Sequence, residues 1–131
     1  MLVDTVGLLL HAIVHPANIQ DRDGGIQLLT ALADRFPLLA ELFADAAYRG
    51  PQFRQAVAKL RPRLTIEIVT RSDQQKGFIV LSKRWIVERT LAWLNRCRRL
   101  AKDFENRTRY AVAFVSLASS RLMLRKLCNP S

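Results

Sequence analysis

The β-branched run LTIEIVT, residues 64–70, alternates in polarity as a half-buried strand does, yet helical-period segments surround it. That interleaving of periods excludes an all-helical bundle and an all-β barrel. Upstream, DRDGGIQLLTALADRF sets Ile26, Leu29, Leu32 and Ala33 at helical spacing, with Asp21 or Asp23 as N-cap and Pro37 as the stop. LLAELFAD then reads as a short strand, and GPQFRQAVAKLR as a helix with Pro51 in its first turn. At the start, MLVDTVGLLLHAIVHP reads as a hairpin turning at Asp4-Thr5-Val6-Gly7.

Beyond the polar link RSDQQKG comes the apolar run FIVLS, then a long amphipathic helix from Lys83 to Phe104 and a last helix over roughly 108–127. YAVAFVSLA in that last helix is expected to be buried in the core. The order strand, strand, helix, strand, helix, strand, then helices defines an α/β chain with a mixed sheet flanked by helices. The expected organisation is one domain over 1–131, with sheet and helices in 1–82 and a basic helical part in 83–131.

Charge divides along the same line. Residues 83–131 hold 12 Lys or Arg against 3 Asp or Glu, so this third carries +9 of the formal +10. A one-sided basic segment attracts a polyanion, nucleic acid before an anionic membrane surface. No apolar stretch has the roughly 20 residues a bilayer span needs. Cys97 and Cys128 have no CxxC spacing, and the sequence opens without a leader pattern, so reduced thiols in a cytosolic protein are the expectation. His11 and His15 lack the Glu that a zinc hydrolase helix requires, so both read as packing or surface residues.

Two carboxylates stand out. Asp45 ends the strand LLAELFAD and is followed by small residues, Tyr48 and Arg49. There it serves either as a turn former or as a ligand at the carboxyl edge of an α/β sheet. In KRWIVERTLAWLNRCRRLAKDF, Ile86, Trp93, Cys97, Leu100 and Phe104 share one helical face. Arg84, Arg89, Asn95, Arg96, Arg99 and Lys102 share the other, with Glu88 at its centre. Glu88 is either an intrahelical partner of Arg84 and Arg89 or a metal-holding acid on a phosphate-holding surface.

Read together, LVDTVGLLLHAIVHPANIQDRDG, RFPLLAELFADAAYRG, LTIEIVTR, KGFIVLSKRWIVERTLAWLNRCRRLAKDFE and LASSRLMLRKL resemble, in order and spacing, the carboxyl-terminal part of bacterial insertion-sequence transposases of the IS-five group. The resemblance implies a DDE recombinase of ribonuclease-H-like fold that performs DNA transposition. In such enzymes three carboxylates hold two Mg²⁺ (or Mn²⁺) ions for phosphodiester cleavage and strand transfer at transposon ends. It implies Asp45 as the second carboxylate and Glu88 as the third, with duplex DNA at the ends and target as partner. Arg84, Arg89, Arg96, Arg99 and Lys102 are the candidate DNA contacts.

The family's signature Tyr and Lys around the last acid are replaced by Leu81 and Asn95, whereas Arg84 and Glu88 keep their spacing. The first carboxylate would lie on a strand before Met1, and Asp4 matches the family's hairpin turn instead. The expectation is therefore an amino-terminally truncated copy, lacking the first strand and catalytically impaired. It would be cytoplasmic and nucleoid-associated, and could assemble with itself or with full-length transposase. A non-catalytic DNA-binding remnant is the rival reading. A basic ribosomal-type protein would explain the charge but not the ordered carboxylates.

Overall fold

The computed structural model describes residues 1–70, 82–102 and 104–129, apart from the side chains of Ser82 and Arg84. The run FIVLS and Leu81 lie outside the described residues. The chain divides into two compact units, one of Pro16–Trp85 and one of Met1–His15 with Ile86–Ser131. The described residues form a mixed α/β chain with two small sheets, each of two strands.

In the central unit, α1 (Asp21–Leu32) starts without a side-chain cap after Gln20. Asp21 and Asp23 occupy its first turn, where their charge meets the positive helix end, and neither is the expected N-cap. β3 (Glu41–Ala44) follows, then α2 (Pro51–Leu60) and β4 (Thr65–Ile68). β3 and β4 pair in parallel, Glu41 with Thr65 through Ala44 with Ile68, and Thr65 N→Ala40 O and Val69 N→Ala44 O extend the ladder at both ends. Parallel neighbours need a crossover, which α2 supplies. Leu28, Leu29 and Leu32 of α1 and Phe53 and Val57 of α2, two helices packed together, are all buried, as are Leu42 and Leu64.

Arg61, directly after α2, is buried in this core. Its guanidinium donates to Ala33 O at 3.1 Å and to Phe36 O, with Leu32 O at the margin, 3.5 Å away. These carbonyls lie at and beyond the end of α1, toward the negative end of the helix dipole; Leu32 O also accepts from Arg35 N and Phe36 N, and Phe36 O from Leu39 N. A planar cation is the side chain suited to gathering them.

The second unit joins the two ends of the sequence. β1 (Leu2–Val3) and β2 (Leu9–His11) form the expected antiparallel hairpin. Asp4 shapes its turn: Oδ1 accepts from Val6 N at 2.9 Å and Leu8 N at 2.8 Å. The turn docks on α3 (Ser82–Asn95), where buried Thr90 places its Oγ1 2.7 Å from Gly7 O and 3.0 Å from Ile86 O, sharing one proton. Gly7 has φ +82°, and a Cβ there would lie 2.9 Å from Thr90 Oγ1. Both the backbone conformation and the close approach therefore require glycine.

The expected helix 83–104 stops at Asn95. The chain turns through Arg96 and extends at Cys97. It makes a short 3-10 turn over Arg98–Leu100 before α4 (Thr108–Cys128). Arg96, Arg98, Arg99 and Lys102 would stack like charges at i,i+3 and i,i+4 on a continued helix, which disfavours it. Bending instead brings Arg99 onto Glu105, with both Nε and NH2 at 2.7 Å, and places its guanidinium 5.0 Å from the Phe114 ring. α4 also departs from expectation. Leu117, Leu124 and Leu127 are exposed and only Ala118 and Ser119 are buried, so YAVAFVSLA is a partly exposed helix and not a core one. Its apolar residues lie all round the helix, so periodicity cannot say which side is covered.

Candidate active site

Asp45 stands directly after β3, at the carboxyl end of a parallel pair. It is exposed, and its Oδ1 accepts from Ala47 N at 2.9 Å, capping the 3-10 turn Ala46–Tyr48. That turn is fastened to the core by Tyr48. The Tyr48 and Phe53 rings are 5.2 Å apart and tilted by 54°. Gly25 of α1 admits them, since a Cβ there would come within 2.7 Å of the Tyr48 ring. The turn-forming role and an anchored carboxylate thus coexist at Asp45: the bond to Ala47 fixes where the carboxylate stands.

Burial holds the Tyr48 phenol above its ordinary value, and the Asp21 and Asp45 carboxylates push in the same direction. A phenol whose ionisation is harder in the folded state stabilises the fold fully below its unfolded value, near pH 10, and loses that contribution as pH rises through the folded value. Denaturant titrations from pH 8 to 11 are therefore expected to show stability falling at the alkaline end. Tyr48→Phe should flatten that decline, and an unchanged decline would place its cause in other groups.

Glu88 is exposed on α3, in the unit that also holds the hairpin, whereas Asp45 belongs to the central unit. Asp45 is presented by a strand end and Glu88 by a helix. Both are hard oxygen donors of the type that Mg²⁺ and Mn²⁺ accept. Among the described residues no three His, Cys, Asp or Glu come together as a metal cluster.

The candidate DNA contacts separate by what they touch. Arg89 is half-buried, donates to Val6 O at 3.0 Å and lies over the Trp93 ring at 4.9 Å, so it fastens the hairpin to α3. Its Nε is buried and has no acceptor among the described residues. Arg99 is paired with Glu105. Arg96 and Lys102 are exposed beyond the end of α3, Asn95 is the last residue of that helix, and the Arg84 side chain lies outside the described residues. Sequence reasoning missed Thr90, although it sits four residues after Ile86 and four before Leu94 on the buried face. Its polarity concealed it. Lys126, which donates to Val6 O at 3.2 Å and lies 4.8 Å over Trp93, could not be placed from sequence. No helix among the described residues is long and apolar enough to cross a membrane.

Residues 1–123 match the family model described as Transposase DDE domain. A protein of Burkholderia cepacia assigned as transposase for insertion sequence element IS402 is 31% identical over 128 residues, covering 89% of this chain and 57% of the relative's own length. No solved structure matches. A family match over nearly the whole length, with a transposase relative 31% identical to it, shows that the chain belongs to the transposase DDE domain family.

Proposed function

We propose that this chain is part of an insertion-sequence transposase of the IS-five group, with a ribonuclease-H-like fold, and that Asp45 and Glu88 are two of its metal-binding carboxylates. The observation that carries the proposal is the placement of Asp45: an exposed carboxylate fixed by Ala47 N at the carboxyl end of a parallel strand pair. That is where open α/β sheets keep their sites. When bound there, a divalent ion supplies Lewis-acid charge and an activated water for phosphodiester cleavage. The chain's own residues do the holding. Asp45 and Glu88 offer oxygen ligands, and Arg96 and Lys102 offer exposed cations for DNA phosphates.

The 131 residues by themselves are proposed not to cleave DNA. Two carboxylates are too few to hold two divalent ions against their repulsion. The chain spans 57% of its relative's length, and transposition at element ends belongs to the whole protein. The rival reading, a DNA-binding part without catalysis, keeps the cations and dispenses with metal.

Mn²⁺ titration of the full chain, followed by loss of the free-ion paramagnetic resonance signal, separates the two. Asp45→Asn and Glu88→Gln are each expected to weaken binding by about tenfold or more, as loss of even a supporting residue of a metal site does. Unchanged titrations in both variants would favour the non-catalytic reading.

A further inference from the structure

We propose that the groove between the segment following α3 and the carboxyl-terminal half of α4 binds a nucleic-acid strand with unpaired bases. Its phosphates would rest on Arg96, Arg121 and Arg125, and its bases against Leu117 and Leu124. The proposal rests on the reading that this chain binds DNA and names where and in what form.

Two adjoining cavities make the groove. One, of about 120 Å³, has Trp93, Arg96, Arg121 and Arg125 in its lining; the other, of about 410 Å³, has Leu117, Leu124, Arg121 and Arg125. Neither lining contains a carboxylate. All the lining residues belong to one compact unit. Helical spacing explains the mixture, since Leu117, Arg121, Leu124 and (one turn beyond Arg121) Arg125 follow at steps of four and three along one side of α4.

The charges are poised for an anion. Among the described residues, none of the three arginines stands in an ion pair. Arg121 and Arg125, one helical turn apart, repel each other in the free protein, and an anion between them relieves that repulsion. All three cations are arginine, whose planar fork matches phosphate oxygens. The apolar half then selects the form of the nucleic acid. A duplex turns its phosphates outward and keeps its base faces stacked inside, so it leaves the leucines uncovered. Leu117 and Leu124 are 66% and 60% exposed, and an unpaired strand can lay its bases on them. An acidic amphipathic helix of another protein is the competing occupant. It offers carboxylates but does not use the residues' membership of a DNA-acting family.

The test measures fluorescence anisotropy of the full chain with a labelled oligodeoxythymidylate and with a labelled duplex, across a salt series. Arg121→Ala with Arg125→Ala is expected to reduce the log–log salt slope for the single strand by about 1.4, at roughly 0.7 for each phosphate no longer neutralised. Leu117→Ser with Leu124→Ser should weaken single-strand binding while leaving that slope and duplex binding unchanged. Thermal melting of each variant checks folding. Should the arginine pair fail to fold, Arg121→Gln and Arg125→Gln singly, each lowering the slope by about 0.7, carry the same test.

A chain that binds no DNA sinks the DNA-binding reading itself. One that binds DNA with an unchanged slope in the arginine variants sinks only the groove. Equal losses on duplex and single strand would overturn the unpaired-strand assignment. Competition by a glutamate-flanked leucine helix peptide, with the oligonucleotide indifferent to every variant, would assign the groove to a protein partner.

Discussion

Joined to the part of a full-length relative that it does not cover, this chain is expected to cut a labelled duplex bearing the element's own ends in Mg²⁺ or Mn²⁺. Asp45→Asn or Glu88→Gln should lower that cutting by at least about a hundredfold. Both substitutions keep the side-chain shape and remove one charge, so they separate metal holding from packing. A residue that merely supports a metal ligand is worth 10- to 100-fold in activity or affinity, and a ligand should be worth no less. The Asp45 substitution has a second consequence: asparagine Oδ1 still accepts from Ala47 N, so the 3-10 turn should survive and the fold with it. The 131-residue chain alone should leave the same duplex intact. Metal-dependent cutting by the chain alone, lost in either variant, would show that the described carboxylates suffice; full activity with Glu88→Gln would remove Glu88 from the site.

Arg61→Met is expected to destabilise the central unit by about 3 kcal/mol, read from denaturant midpoints. Hydrogen bonds from a charged donor contribute about 1.5–3 kcal/mol each, and an abandoned buried carbonyl costs about 1–3 kcal/mol. Methionine keeps much of the apolar stem of arginine but not its guanidinium head, so the loss combines the missing hydrogen bonds with the space the head vacates. Ala33 O would lose its Arg61 donor, while Phe36 O would keep only the bond from Leu39 N. Arg61→Lys should recover only part of the loss, because an ammonium cannot reproduce the fork. A midpoint within error of the parent would mean that water reaches those carbonyls.

Local pattern carried much of the architecture. The hairpin turn was legible because Asp4 and Gly7 have specific backbone uses, the strand Glu41–Ala44 because a short apolar run ends at Asp45, and Thr65–Ile68 because β-branched residues alternate with polar ones. Where the basic helix ended was not legible. The apolar positions Cys97, Leu100 and Phe104 continue the helical spacing past Asn95, and the bend depends on partners at a distance, Glu105 and the Phe114 ring on Arg99. The exposure of Leu117 and Leu124 was hidden for a related reason, because a helix apolar on every side does not announce which side will be covered.

The candidate site divides in the same manner. Its inventory could be read along the chain: an aspartate at a strand end, a glutamate among arginines, a basic final third and an ordered set of motifs. What those side chains do came from the packing of the elements. Packing assigned Arg89 and Lys126 to Val6 and Trp93, gave Thr90 to Gly7, and sent Arg61 to the end of α1. Each of these hydrogen bonds joins residues 25 or more positions apart, most of them more than 80. Spacing along a helix or strand reports only which neighbours share a face. Which distant carbonyl a cation will satisfy depends on how the elements pack, and packing is settled by the burial of the whole chain at once.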